Sequence, residues 1–206
     1  MRLYTIQEED FWKKCQDLGG IFIERQFIDE EFFLRSYEWM RRQMAKRLPA
    51  YSGDFPVWAW AERPDLRTIY WNVKGYPFFL LTIEVPADRV LLSDFGDWHI
   101  VLNDGYLPID DADFEREWES PATQEEKEAS WERIFDVYGQ RYDSDGRIQA
   151  CVDRVYLHEV ISVRPFKSRG PNPDKVANGP ELVAKMAAIE RMPSLPQPNS
   201  SGPTVR

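Results

Sequence analysis

The segment VLLSDFGDWHIVLN (residues 90–103) sets Ser93, Asp94, Asp97, Trp98 and His99 between two apolar runs. Such a cluster is a reaction site, a recognition edge or a well-capped turn. Asp94, Asp97 and His99 could offer three metal ligands, but one triplet within a single loop is a weak metal signal. Ser93 and Asp94 are also good helix N-caps, and Asp97 would fall in the first turn, where a negative charge suits the helix dipole. Those roles account for the acids without a reaction. Trp98 then reads as core, and His99 either faces solvent or orients a ligand.

Other chemistries lack their residues. The chain has no phosphate-cradling glycine loop, no GxSxG, no HExxH and no paired CxxC. Two histidines, His99 and His158, are too few for a multi-histidine metal centre. The two cysteines, Cys15 and Cys151, have no metal-knuckle or disulfide-framework spacing. No basic-then-apolar leader and no apolar run near 18 residues is present. The expectation is a cytoplasmic chain with reduced thiols and no membrane partner. The net charge of −9 is concentrated: residues 110–129 hold nine acids and two bases, a local −7. Phosphate-gripping proteins want a basic patch, so nucleic acid is expected only as a substrate. The acidic block reads as a solvated face or as a docking surface for a basic protein partner.

The elements that must position these residues follow from spacing. Residues 2–7 read as a strand. Phe11, Trp12, Cys15 and Leu18 recur at helical spacing, and Gly19 and Gly20 stop that helix. IFIERQF reads as a strand with Ile21, Ile23, Arg25 and Phe27 on one face. Residues 29–48 form the clearest helix, with Asp29, Glu30 and Glu31 at its start and Lys46 and Arg47 at its end. Phe33, Tyr37, Met40 and Met44 are its inward stripe. Trp58 and Trp60 lie two apart on a strand and share a face. A turn near Gly75 leads into an apolar strand, 78–85, expected inside a sheet. Residues 87–95 supply another short strand and 96–103 a helix. Thr123 and Glu126 resemble a capping box for a helix near 124–137. YDSDGR is a turn, followed by one or two closing strands and a last helix near 179–191. A chain of 206 residues is long enough for one large domain with its core and too short for two domains. The expected fold is a single α+β domain over 1–169 with a bent or split, mainly antiparallel sheet flanked by helices. A C-terminal extension with a short helix spans 170–192, and a Pro- and Ser-rich tail, 193–206, is expected to be disordered.

LYTIQ, SYEWMRRQM, PVWAW followed by RPDLR, EVPADRVLLSDFGDWHIVLN, SWERIFD and IQACVDRV occur in this order over residues 1–169. As an ordered set they resemble an uncharacterised bacterial family, domain of unknown function 3841. More distantly, the order of strand, helix, glycine, split sheet and closing strand is similar to small ADP-ribosyltransferase-like domains. That resemblance implies binding of NAD or a related nucleotide, as a substrate rather than a resident cofactor, and transfer to an acceptor. It implies catalytic roles for Tyr4 and Thr5 on the first strand and for Gln149 on the late strand. Gln149 stands where the family carries a glutamate, and an amide cannot supply the negative charge that stabilises an oxocarbenium-like state. Glu159 or Asp153 would have to substitute. Trp58, Trp60, Arg67 and His99 are the residue types for gripping the ligand: aromatics to stack on the nicotinamide, and a base for the pyrophosphate. Their structural alternatives are sheet-face packing and a surface ion pair of Arg67 with Asp65.

Overall fold

A computed structural model describes residues 1–28, 31–69, 71–139 and 146–190. The strands are β1 (Arg2–Glu8), β2 (Gly20–Phe22), β3 (Val57–Trp60), β4 (Pro77–Glu84), β5 (Leu91–Asp94), β6 (Ile148–Val152), β7 (Arg154–Tyr156) and β8 (Val160–Lys167). The helices are α1 (Glu9–Asp17), α2 (Glu31–Arg47), α3 (Phe95–Leu102), α4 (Asp111–Glu119), α5 (Gln124–Trp131) and α6 (Gly179–Glu190). Six strands form one antiparallel sheet in the order β5-β6-β3-β1-β4-β8, and β2 pairs with β7 in a small second sheet. The fold is α+β. The turn expected at YDSDGR falls largely, and the tail from 193 entirely, outside the described residues, as do Asp29 and Glu30.

Strand alternation assigns the two faces. Leu3, Val57, Ala59, Leu81, Ile83, Ala150 and Val152 point to one side, where α1 supplies Trp12 and Cys15 and the small sheet supplies Ile21 and Val155. The opposite face meets α2 and α3. There Trp39, Met40, Met44, Trp98, Val101, Trp131 and Ile134 close a second core over Leu91 and Cys151. A third, smaller core joins α6 through Ile189 to Val73, Tyr76 and Phe78. Lys185 of α6 adds ion pairs to Glu8 and Asp10.

Several boundaries depart from the sequence-based expectations. IFIERQF is a strand for only three residues; Ile23 then makes one bridge to Phe55, and Arg25–Phe27 is a 3-10 turn. A strand lasts as long as a partner supplies hydrogen bonds, and β7 offers β2 only three positions. Leu18 is exposed rather than inward, because it caps α1 just before Gly19 turns left-handed at φ +85°. The closing region holds three strands, since Asp153 breaks β6 from β7 and its carboxylate accepts the N–H groups of Ser52 and Arg154. The capping box at Thr123 and Glu126 is present, but the α-helix it starts ends at Trp131 and tightens to a 3-10 turn over Glu132–Phe135. Asp94 caps α3 by accepting the Asp97 N–H; Ser93 does not cap, and is instead buried in β5.

Two expectations follow. A Cβ at Gly20 would sit 2.4 Å from the Val155 carbonyl oxygen, which is ladder backbone and cannot swing aside. Gly20→Ala should cost about 1–3 kcal/mol, read as a lower urea midpoint at unchanged slope. Burial pushes the Cys15 thiol up to about 11 and raises that of Cys151 as well. Both thiols should therefore resist a disulfide reagent at pH 8 in the native protein and react together only on unfolding. Rapid labelling of either in the native state would contradict this packing.

Candidate functional site

The site begins with a gap in the ladder. β1 pairs with β4 at seven positions and β3 with β6 at four, yet β1 and β3 share only the pair Tyr4↔Trp60. Past that pair the strands separate. The hydroxyl of Thr5 donates to the carbonyl of Trp58 at 2.8 Å, so a side chain takes the place of a ladder N–H. Gln7 Nε2 donates in turn to Thr5 Oγ1 at 2.7 Å. These bonds satisfy groups that the opening would otherwise leave unpaired in a half-buried setting.

The opening holds a cleft of about 420 Å³, within the range of small-molecule sites. Ile6 and Gln7 border it from β1, and Val57, Trp58, Ala59 and Trp60 from β3. Tyr37 of α2 and Phe95, Trp98 and His99 of α3 form the facing wall, with Phe27 and Trp71 at the rim. Trp58 packs on Trp98 at 4.7 Å between ring centres, and Trp60 on Phe95 at 4.8 Å. Trp58 Nε1 is buried with no hydrogen-bond partner among the described residues, an unsatisfied donor in the cleft wall. His99 Nδ1 lies 2.8 Å from the Phe95 carbonyl oxygen. That oxygen only accepts, so Nδ1 carries the proton and Nε2 is the bare nitrogen of the neutral ring. No carboxylate lines this cleft among the described residues.

Two compartments adjoin it, and Trp71 borders all three spaces. One, of about 340 Å³, carries Arg63 and Arg147 together with Glu62 and Asp65 beside Trp60 and Phe95, with the Arg147 guanidinium 4.3 Å above the Phe95 ring. The other, of about 710 Å³, is lined by Glu8, Asp10, Lys14 and Lys185, whose charges largely offset one another.

The register places the expected residues relative to this cleft. Thr82, Tyr4, Trp60, Gln149 and Ser93 form a cross-strand row on one face. Trp58, Trp60, His99 and Gln149 all line the cleft. Gln149 is 4% exposed and donates to Ser93 Oγ at 3.1 Å. Tyr4 is half-buried at the closed end of the opening, outside the lining. Thr5 lies on the opposite strand face, almost fully buried, with its hydroxyl committed to Trp58. Arg67 stands outside the cleft, exposed and held by Asp65 at 2.7 Å, and that guanidinium pulls the Asp65 carboxyl down to about 2. Asp153 and Glu159, the conceivable stand-ins for an acid, are buried elsewhere around Arg89. The residues that the sequence did not assign to a ligand are Gln7, Trp71, Phe95 and Arg147, together with Tyr37, which spacing had placed in the inward stripe of α2. Phe95, adjacent to the Asp94 cap, was the most accessible of them, since helix geometry puts it one turn before His99.

Thr5→Val keeps the shape and removes the donor. It should leave the Trp58 carbonyl unpaired and cost about 1–3 kcal/mol in chemical denaturation, whereas Thr5→Ser should stay near the native value. A valine variant as stable as the native protein would show that the opening does not depend on this bond.

No curated protein and no solved structure matches the chain. Among the described residues no helix is long and apolar enough to cross a membrane, and no group of three or more His, Cys, Asp or Glu side chains is placed to hold a metal ion. A family model does match, over residues 2–161, the stretch that holds five of the six strands of the main sheet and every residue named above as lining the cleft. The chain belongs to that family, described as a domain of unknown function, DUF3841.

Proposed function

We propose that this domain binds NAD or a related nucleotide in the cleft between β1 and β3, in the manner of ADP-ribosyltransferase-like domains. The observation that carries the reading is the opening of the sheet after one register pair into a cleft walled by aromatic rings. A flat heteroaromatic ring stacks on such walls. Its polar edge finds Gln149, the bare Nε2 of His99 and strand backbone that faces the gap instead of a neighbour. Arg63 and Arg147, not Arg67, are the bases within reach of a phosphate, as they line the adjoining compartment.

The same geometry argues for binding ahead of fast transfer. Cleavage of the bond between nicotinamide and ribose builds positive charge on the sugar, and a nearby carboxylate is the usual stabiliser. Gln149 is neutral, so its contribution is a hydrogen bond and not a countercharge. Transfer to an acceptor is therefore slow unless the acceptor complex brings a carboxylate.

Four of the eight tryptophans, Trp58, Trp60, Trp71 and Trp98, line the cleft, so intrinsic fluorescence reports occupancy directly. Titration with NAD, ADP-ribose and ATP, checked by calorimetry, should give saturable micromolar binding of at least one. Trp71→Ala, at a half-exposed rim residue, should weaken it about tenfold, a loss of about 1.4 kcal/mol, while Arg67→Ala should leave it unchanged. Gln149→Glu should raise NAD hydrolysis above the native rate. Absence of binding to all three up to millimolar concentration would sink the reading.

A further inference from the structure

The α4 helix buries none of its residues. At nine residues it is too short to persist alone in water. Polar bonds on its inner side hold it. Asp110 caps it by accepting the Asp113 N–H at 2.8 Å. Asp113 accepts from the Ile109 N–H and from the Tyr106 hydroxyl, each at 3.0 Å, and pairs with Arg116 at 2.7 Å. Arg116 also donates to the Tyr106 hydroxyl at 3.1 Å. These contacts hold a helix none of whose residues is fully buried.

Its outer side carries what a solvated helix does not need. Phe114 is 53% exposed and Trp118 is 82% exposed. Four residues apart, they lie one above the other on one face. Ile109, just before the helix, is 59% exposed. The acids Asp111, Glu115 and Glu119 are exposed beside this pair. An aromatic pair rimmed by charge has the form of a helix anchor, in which spaced large side chains enter a partner's apolar surface.

Charge chooses the partner. Residues 110–129 carry a local −7 within a chain of net −9. Nucleic acid and anionic lipid would bring like charge to the face, as would the same face of a second copy of this chain. We propose that α4 docks a cationic amphipathic helix of another protein. Its apolar stripe would pack on Phe114 and Trp118, and its flanking Lys or Arg side chains would pair with Asp111, Glu115 and Glu119. This surface lies outside the cleft lining and does not depend on what the cleft binds.

The test uses the full chain and a fluorescein-labelled Leu/Lys peptide of about five helical turns, with leucines at helical spacing. Binding is read by anisotropy at low salt against a scrambled peptide of the same composition. The amphipathic peptide should bind saturably, and the scrambled one about tenfold or more weakly. Phe114→Ala/Trp118→Ala and Glu115→Lys/Glu119→Lys should each weaken binding about tenfold or more. Both variants alter a face that buries nothing, so their thermal melts should match the native protein. Three results would overturn the proposal: no saturable binding, equal binding of the scrambled peptide, or equal binding by the alanine variant. A native dimer by light scattering that the alanine variant converts to monomer would overturn it in favour of a second copy covering this face.

Discussion

The hydrogen bond from the Thr5 hydroxyl to the Trp58 carbonyl is the contact on which the cleft depends. A sheet edge that opens leaves backbone groups without partners, and a buried unpaired carbonyl costs more than one hydrogen bond is worth. Here each side of the opening is secured on its far side, β1 along β4 and β3 along β6. Only the inner edges need an alternative, and Thr5 with Gln7 supplies one. The sheet is thus two antiparallel halves joined at Tyr4 and Trp60 and parted beyond them. The aromatic side chains of α2 and α3 form the wall that faces the parted strands.

The eight tryptophans divide by the packing each one meets. Trp12, Trp39 and Trp131 are core. Trp58, Trp60, Trp71 and Trp98 surround the cleft. Trp118 alone stands in solvent on a helix that buries nothing. An aromatic excess is compatible with cores and with binding surfaces alike. Its distribution separates the two: some rings pack on one another along the strand opening, and Trp118 stands exposed on α4.

The acids divide in the same way. Asp153 and Glu159 are buried around Arg89, where both carboxylates also accept backbone N–H groups. Buried carboxylates so fully engaged are architectural; removing Arg89 would strand two charges. Asp94 spends its oxygen on the α3 cap. Of the α4 acids, Asp111, Glu115 and Glu119 are exposed, while Asp113 holds the helix and Glu117 accepts the Ala122 N–H. With no carboxylate in the cleft lining among the described residues, the electrostatics there rest on dipoles and amides, and the adjoining compartment brings Arg63 and Arg147 together with Glu62 and Asp65.

Local sequence determined the elements. Helical spacing located α1 and α2, the cap at Asp94 located the start of α3, the Thr123 and Glu126 pair located the start of α5, and short apolar or alternating runs located β1, β3, β4 and β5, because each signal acts within a few residues. Alternation also put Trp58 and Trp60 on one face, whereas the acidic run over 110–129 was legible as a charged face and not as the helix α4. Strand ends were not legible. β2 stops where β7 stops, and β6 breaks where Asp153 meets Ser52, and both depend on partners more than a hundred residues away in sequence. The cleft was not legible either. It arises from a register pairing that ends after one residue pair, from a threonine whose hydroxyl turns toward a neighbouring strand, and from α3 crossing over the gap. Side-chain types announced that Gln149, His99 and the tryptophans could meet a ligand. Only long-range pairing decided that they would meet in one place, since a strand's partners are set by the whole sheet and not by its own residues.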